Sequence, residues 1–364
     1  MKRGLGVAAY LAAAFAAACT RSVAPEPPGQ SSAATSSVVA SAATPVRPAS
    51  VATSVPAASV ATSVPPATPL PSSSEVHDAD ASYRFPAPAR LVAIGDLHGD
   101  LAATRAALRL AHAVDDADRW IGGKLVVVQT GDELDRGDGD RAIVELFDRL
   151  ADSAHAAGGE VRALVGNHEV MNVAGDFRYV TAGGFAAFAD VDTRRVPTAI
   201  LSQFPVEARG RLAAFFPGGP YALRLSRRNA VVVVGDTLFV HGGVTVDHVR
   251  YGIGRFNREV SRWMSGEGAA PALSQDEQGP LWTRRYSDDK AGVDCDSLGA
   301  ALAALGIRRM VVGHTPHESG ITPACGDRVW RIDTGMSKFY GGPLQVLEIQ
   351  GDKTTVLHSD TRSP

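Results

Sequence analysis

Between Arg90 and Val312, short apolar runs stop repeatedly at a glycine, and a polar motif follows each one. Arg90–Ile94 gives way to GDLHGD at Gly95–Asp100. Leu125–Val128 belongs to LVVVQTGDELDRG, Leu125–Gly137, whose GDELDRG begins at Gly131. Glu160–Val165 ends in GNHEVMN at Gly166–Asn172. Runs of this length without polar alternation are the pattern of strands buried on both faces. Leu101–Ala113 and Asp140–Ala157, which separate them, carry apolar residues at helical spacing. Strand, loop and helix repeat twice, which predicts a mostly parallel βαβαβ unit. Its polar loops lie at the carboxyl ends of the strands, where open α/β sheets place ligands.

The pattern loosens from Val173 to Asn229. Phe185–Phe188, Val206–Phe215 and the glycines near Gly218 predict helices and loops laid over a cleft. Strands return at Ala230–Val234 and Leu238–Val240, the latter running into HGG at His241–Gly243. One helix is predicted over Val246–Met264, a loop over Gly266–Gln278 and a short helix over Ser297–Leu305. Arg309–Val312 is a strand ending in GHT, Gly313–Thr315. Strands at Val329–Ile332, Leu344–Ile349 and Thr354–His358 complete a second, mixed sheet. No internal boundary interrupts residues 83–360, which read as a single catalytic domain.

The N-terminal segment differs. Residues 1–18 begin with Lys2 and Arg3, continue in Ala, Leu and Phe, and end in small residues before Cys19. That is a secretory signal, too short to cross a bilayer as a helix. A cysteine after three alanines resembles the lipobox of bacterial lipoproteins, although Ala16 stands where Leu is usual. The expectation is an exported chain with lipid on Cys19, on the periplasmic or cell-surface side of a bacterial membrane. In a Gram-negative host, Thr20 favours the outer membrane. Residues 19–82 are Pro, Ala, Ser, Thr and Val, with ASVATSVP at Ala49–Pro56 and again at Ala58–Pro65. Nothing there can bury a core, so it reads as a disordered tether with a contour on the order of 200 Å. The other cysteines, Cys295 and Cys325, form an even pair, and a disulfide is expected over two free thiols. A net charge of −3 over 364 residues argues against nucleic acid and against a polybasic membrane surface.

The five strand ends present Asp96 and His98, then Asp132, Asp135 and Arg136, then Asn167 and His168, then His241, then His314. A mixed oxygen and nitrogen donor set suits Mn, Fe or Zn. It does not suit Ca, which prefers all oxygen, nor a structural thiolate Zn site. Two such ions sharing a carboxylate can activate a water and neutralise a phosphoryl group. A lone histidine usually packs in a core, but four of them beside glycine-rich strand ends argue otherwise. His112, His155 and His317 read as surface residues, Asp333 as a turn residue, and Trp282 as core. Phe177, Arg178 and Tyr179 divide evenly between pocket and core.

GDLHGD, GDELDRG, GNHE, HGG and GHT in this order resemble the calcineurin-like metallophosphoesterases, in the phosphoprotein phosphatase branch. GNHEVMN, the following GDFRYV, GPLW at Gly279–Trp282 and WRIDTGMS at Trp330–Ser337 resemble the bacterial Shewanella-like protein phosphatases. The resemblance spans about Leu91 to Ile349. It implies a four-layer αββα sandwich, an α/β fold of two mixed β-sheets with flanking helices. It implies two metal ions, one held by Asp96, His98 and His314, the other by Asn167 and His241, with Asp132 bridging. His168 would be the general acid and Asp135 its orienting partner. Arg136 and a second arginine, Arg284 in preference to Arg285, would clamp the phosphate. Metal-bound hydroxide would attack phosphorus in line, without a phosphoenzyme. The implied substrate is a phosphoprotein, carrying phosphotyrosine, phosphoserine or phosphothreonine. The alternative is a dinucleoside polyphosphate or another small phosphoester. A metal-stabilised binding module ranks last, because neither a ligand nor the acid histidine is missing.

Overall fold

Strand β2 (Leu91–Ile94) shows how one short apolar run serves two cores. Successive strand residues point to opposite faces. Leu91 and Ala93 join a cluster with Val128, Val232, Phe239 and Val311, whereas Val92 and Ile94 pack with Leu108, Leu146 and Phe147. The first cluster lies between two sheets and the second beneath helices. The computed structural model describes residues 83–358, so the signal at 1–18, Cys19 and the linker at 19–82 lie outside the described residues.

One sheet carries β2, β3 (Val126–Gln129), β4 (Glu160–Ala163), β10 (Gln345–Gln350) and β11 (Lys353–His358) in the order β11-β10-β2-β3-β4. The β2-β3-β4 part is parallel, and β10 joins β2 antiparallel. Helices α1 (Leu101–Leu110) and α2 (Asp140–Ala156) supply the crossovers. Asp100 caps α1 by accepting from the Ala103 amide at 2.9 Å. The second sheet runs β1-β5-β6-β7-β9-β8, from β1 (Arg84–Phe85), β5 (Val231–Val234), β6 (Thr237–Val240), β7 (Arg309–Val312), β8 (Thr322–Ala324) and β9 (Val329–Arg331). It mixes parallel β6-β7-β9 with antiparallel β5-β6 and β8-β9 pairs. Helix, sheet, sheet, helix is therefore the layer order, as expected.

The differences from expectation are local. GNHEVMN is helix α3 (Asn167–Val173), because Glu169 turns back and accepts from the Gly166 amide at 2.7 Å. The insertion contains α4 (Ala182–Ala186), α5 (Thr198–Leu201), α6 (Arg209–Phe215) and α7 (Pro220–Leu225). The helix expected over Val246–Met264 is two helices, α8 (Val246–Tyr251) and α9 (Ile253–Met264). They part at Gly252, whose φ of 101° no right-handed helix accepts. Helix α10 (Cys295–Leu305) is tied to the end of β8 by a Cys295–Cys325 disulfide. His317 is buried rather than at the surface, with its Nδ1 3.5 Å from Asp289, and burial followed by the nearby Arg331 of β9 lowers its pKa. No helix among the described residues is long and apolar enough to cross a membrane.

Candidate active site

The carboxyl ends of β2, β3, β4, β6 and β7 bring Asp96, His98, Asp132, Asn167, His168, His241 and His314 together, all of them buried. Packing this tight needs glycine at two points. A Cβ on Gly166 would stand 2.2 Å from Asp132 Oδ1, and one on Gly313 would stand 2.3 Å from Asp96 Oδ1. The site residues also bend the chain themselves. Nine described non-glycine residues have positive φ, and His98, Asp132, Asp135, Arg136 and His314 are five of them. Left-handed backbone outside glycine is disfavoured and gathers where a fold must aim a side chain.

The donor atoms fit metal ions by their hydrogen bonding. His241 Nδ1 lies 3.1 Å from the Thr130 carbonyl and so carries the proton. Its Nε2 lone pair then faces Asn167 Oδ1 at 2.7 Å and Asp132 Oδ2 at 3.2 Å. His314 Nδ1 is 3.1 Å from the same Nε2. Likewise His98 Nδ1 faces the Leu134 carbonyl at 3.2 Å, which leaves Nε2 toward Asp96 and Asp132, each at 3.9 Å. The lone pairs of His241 Nε2, Asn167 Oδ1 and Asp132 Oδ2 converge without a proton between them, an arrangement that a cation relieves. Burial, helped by His168, takes His98 down to about 3. Burial and His241 push His314 well below its ordinary value. Both imidazoles are therefore neutral, the form in which a ring nitrogen can offer its lone pair to a cation. Burial opposes ionisation of Asp132, yet His241 and His168 hold it well below the usual carboxylate range. Burial, then Asp333 and Asp132, raise Asp96. That crowding also calls for positive charge, and it places Asp333 against the site rather than in a remote turn.

Two triads of donor atoms are spaced for metal ions: Asp132, His241 and His314, and His98, Asp132 and His168. His168 stands apart chemically. Its Nδ1 donates to Asp135 Oδ2 at 2.6 Å, and its Nε2 is 3.7 Å from Asp132 Oδ2. Burial opposes its charged form, but Asp132 and Asp135 raise its pKa above the ordinary value. His98 and His314 shift the opposite way.

Above these residues lies a cavity of about 360 Å³, lined by Arg136, Tyr179, Trp282, Arg284 and Tyr340 together with His98, Asp132, Asn167, His168 and His314. Arg136 has its guanidinium over Tyr179, Phe339 and Tyr340, with 5.0, 5.4 and 4.9 Å to the ring centroids. Arg284 donates to the His314 carbonyl and to Thr315 Oγ1, both at 2.9 Å. Arg285 turns away and pairs with Asp294 at 2.9 Å. Trp282, expected in the core, is half-buried at the cavity wall, with its indole N–H held by the Ser274 carbonyl. Of the GDFRYV residues, Tyr179 reaches the cavity, Phe177 packs on Phe185 and Phe204, and Arg178 pairs with Asp176.

Two further residues, Asn172 and Arg211, are not legible as site residues in the sequence. Asn172 donates to Asp135 Oδ1 at 2.9 Å. Arg211, wholly buried, pairs with Asp135 at 3.0 Å and Asp140 at 2.6 Å. The available signal was an arginine set in the apolar run RLAAFF, a position that a helix buries.

The calcineurin-like phosphoesterase model matches residues 89–318. The chain is 41 % identical over 315 residues to Shewanella-like protein phosphatase 2 of Arabidopsis thaliana, covering 78 % of this chain and 81 % of that one. It is 31 % identical over 269 residues to Shewanella-like protein phosphatase 1 of Plasmodium berghei, covering 70 % and 69 %. In fold it is similar to the cold-active protein-tyrosine phosphatase of a psychrophilic Shewanella species, with a TM-score of 0.60 at 22 % identity over 76 % of this chain and 82 % of that one. The donor cluster, the cavity beside it and these relatives agree: the chain belongs to the calcineurin-like phosphoesterases, with the Shewanella-like protein phosphatases as relatives, and is a hydrolase of phosphoesters.

Proposed function

We propose that the protein is a phosphomonoesterase acting on phosphoproteins, with His168 as its general acid. The observation that carries this is one cavity shared by two arginines, an acid-competent histidine and the donor cluster. Asp96 and His98 would hold one ion and Asn167, His241 and His314 the other, with Asp132 common to both; His314, expected with the first set, joins the second because its Nδ1 lies 3.1 Å from His241 Nε2 in one donor triad with Asp132. Bound there, Mn, Fe or Zn would supply Lewis acidity and an activated water.

The chain's own groups do the rest. Arg136 and Arg284 donate to the phosphate oxygens as charge builds on them. His168 Nε2 passes its proton to the departing oxygen, while Asp135 accepts from Nδ1 and fixes the ring. Stacking on Tyr179, Phe339 and Tyr340 keeps the Arg136 guanidinium from swinging away. Tyr179, Trp282 and Tyr340 give the cavity an aromatic wall suited to a phenyl ring, so phosphotyrosine fits along with phosphoserine and phosphothreonine. The relatives' name, protein phosphatase, supports a protein substrate.

The proposal also locates the enzyme outside the cytoplasm, anchored by lipid on Cys19. The pattern of residues 1–18 and the Cys295–Cys325 disulfide support that location.

Phosphotyrosine peptide, phosphoserine peptide and diadenosine tetraphosphate, compared at equal concentration with added Mn, test the substrate class. Faster turnover of either peptide is expected. Strong preference for the nucleotide would overturn the protein-phosphatase assignment.

A further inference from the structure

Asp135 is more constrained than a partner for one histidine needs to be. Its Oδ1 accepts from Asn172 Nδ2 at 2.9 Å and from Arg211 Nη2 at 3.0 Å. Its own amide donates to Asp140 Oδ1 at 3.1 Å. With Oδ1 taken twice and the backbone pinned, Oδ2 can face only His168 Nδ1.

Arg211 is the centre of this arrangement. Its Nε donates to Asn172 Oδ1 at 2.8 Å and its Nη1 to the Gly184 carbonyl at 3.0 Å. Nη1 also stands 2.6 Å from Asp140 Oδ2. The guanidinium packs against Phe188 and Phe215, 5.2 Å from each ring centroid. Every edge of the planar fork is engaged, and Arg211, Asp135 and Asp140 are fully buried. An ion pair kept only for stability is a poor investment at such depth, where desolvation consumes much of the attraction. Arg211 also comes from α6 in the insertion, not from a strand end. The same insertion accepts the Arg136 amide at the Tyr179 carbonyl, at 2.9 Å, and lays the Tyr179 ring 5.2 Å from that of His168.

We propose that Arg211 is a positioning residue for proton transfer. It fixes the Asp135 carboxylate, and through it the direction in which His168 Nε2 delivers its proton. The insertion thereby sets the acid as well as walling the cavity. This rests on the assignment of His168 as general acid.

The test compares leaving groups. Phenyl phosphate releases a phenolate of tyrosine-like basicity, which needs a proton, whereas p-nitrophenolate departs with little help. Arg211→Lys keeps the charge but cannot make all four contacts at once. Arg211→Met combined with Asp140→Asn removes the arginine without leaving an excess buried carboxylate. Each is assayed as the Mn-loaded enzyme. The kcat on phenyl phosphate should fall on the order of 10- to 100-fold, that on p-nitrophenyl phosphate by no more than about threefold, with KM and metal content unchanged.

Equal losses on both substrates, or no loss on either, overturn the proposal. Failure of both variants to fold assigns Arg211 to the scaffold and overturns it as well. His168→Ala, run alongside, should show the same split more strongly. If it does and the Arg211 variants do not, only the positioning role is lost. If His168→Ala shows no split, the general-acid assignment fails and the proposal falls with it.

Discussion

Asp96, His98, Asp132, Asn167, His241 and His314 each leave the end of a strand beside a glycine, whereas Arg211 and Tyr179 come from short helices and turns of the insertion, Tyr179 to the cavity wall and Arg211 to the buried side of Asp135. The first group is held by sheet register. Parallel pairing of β2, β3 and β4 fixes where their loops begin, and the glycines admit the carboxylates. The second group is held by side-chain pairing with α2 and the loop before it. Thr181 bonds Asp138, Arg141 bonds Asp190, and Tyr221 bonds Glu145 at 2.5 Å. Arg224 pairs with Asp148 at 2.5 Å, and Arg228 with Glu133 at 2.7 Å. The floor of the cavity is thus part of the fold's framework, and the insertion is joined to it by these side-chain pairs and by Phe188, Phe215 and Tyr221 packing into the shared core. The comparison teaches that chemistry written as motifs can depend on supports written nowhere near them.

The sharpest way to break this division is at the residue both ions would share. Asp132→Asn should abolish phosphatase activity and lower bound metal together, measured by elemental analysis beside p-nitrophenyl phosphate turnover. Full metal content with full activity would remove Asp132 from the floor. A smaller effect separates the two neighbouring arginines. Arg284→Ala should lower kcat/KM on the order of 10²-fold, as losing a charged donor to a developing oxyanion does. Arg285→Ala loses only an exposed pair with Asp294 and should stay within about twofold of the parent, since such pairs contribute about 1 kcal/mol or less. Reversed results would move the phosphate clamp to Arg285.

The same division governs what the sequence revealed. Strand ends with their glycines were legible because apolar runs, turns and polar motifs follow one another directly. Helix α3 was hidden because its first residues look like a ligand loop, and its start depends on Glu169 accepting the Asp132, Glu133 and Gly166 amides. Strands β1 and β8, of two and three residues, are too short to show any alternation. Arg211 could not be assigned from sequence because its partner Asp135 lies 76 residues away and no local pattern joins them. Trp282 and His317 were misplaced for the opposite reasons. A tryptophan packs by habit but here borders an opening, and a histidine in a polar stretch is buried with its ring beside Asp289.

The proposed mechanism needs His168 to give a proton rather than hold a metal, although its ring is spaced for either with His98 and Asp132. Metal content and turnover measured together on His168→Ala test this directly. Two ions per chain, as in the parent, are expected, with turnover of phenyl phosphate reduced on the order of 10²- to 10⁴-fold. Loss of an ion in proportion to the loss of activity would contradict it and make His168 a ligand.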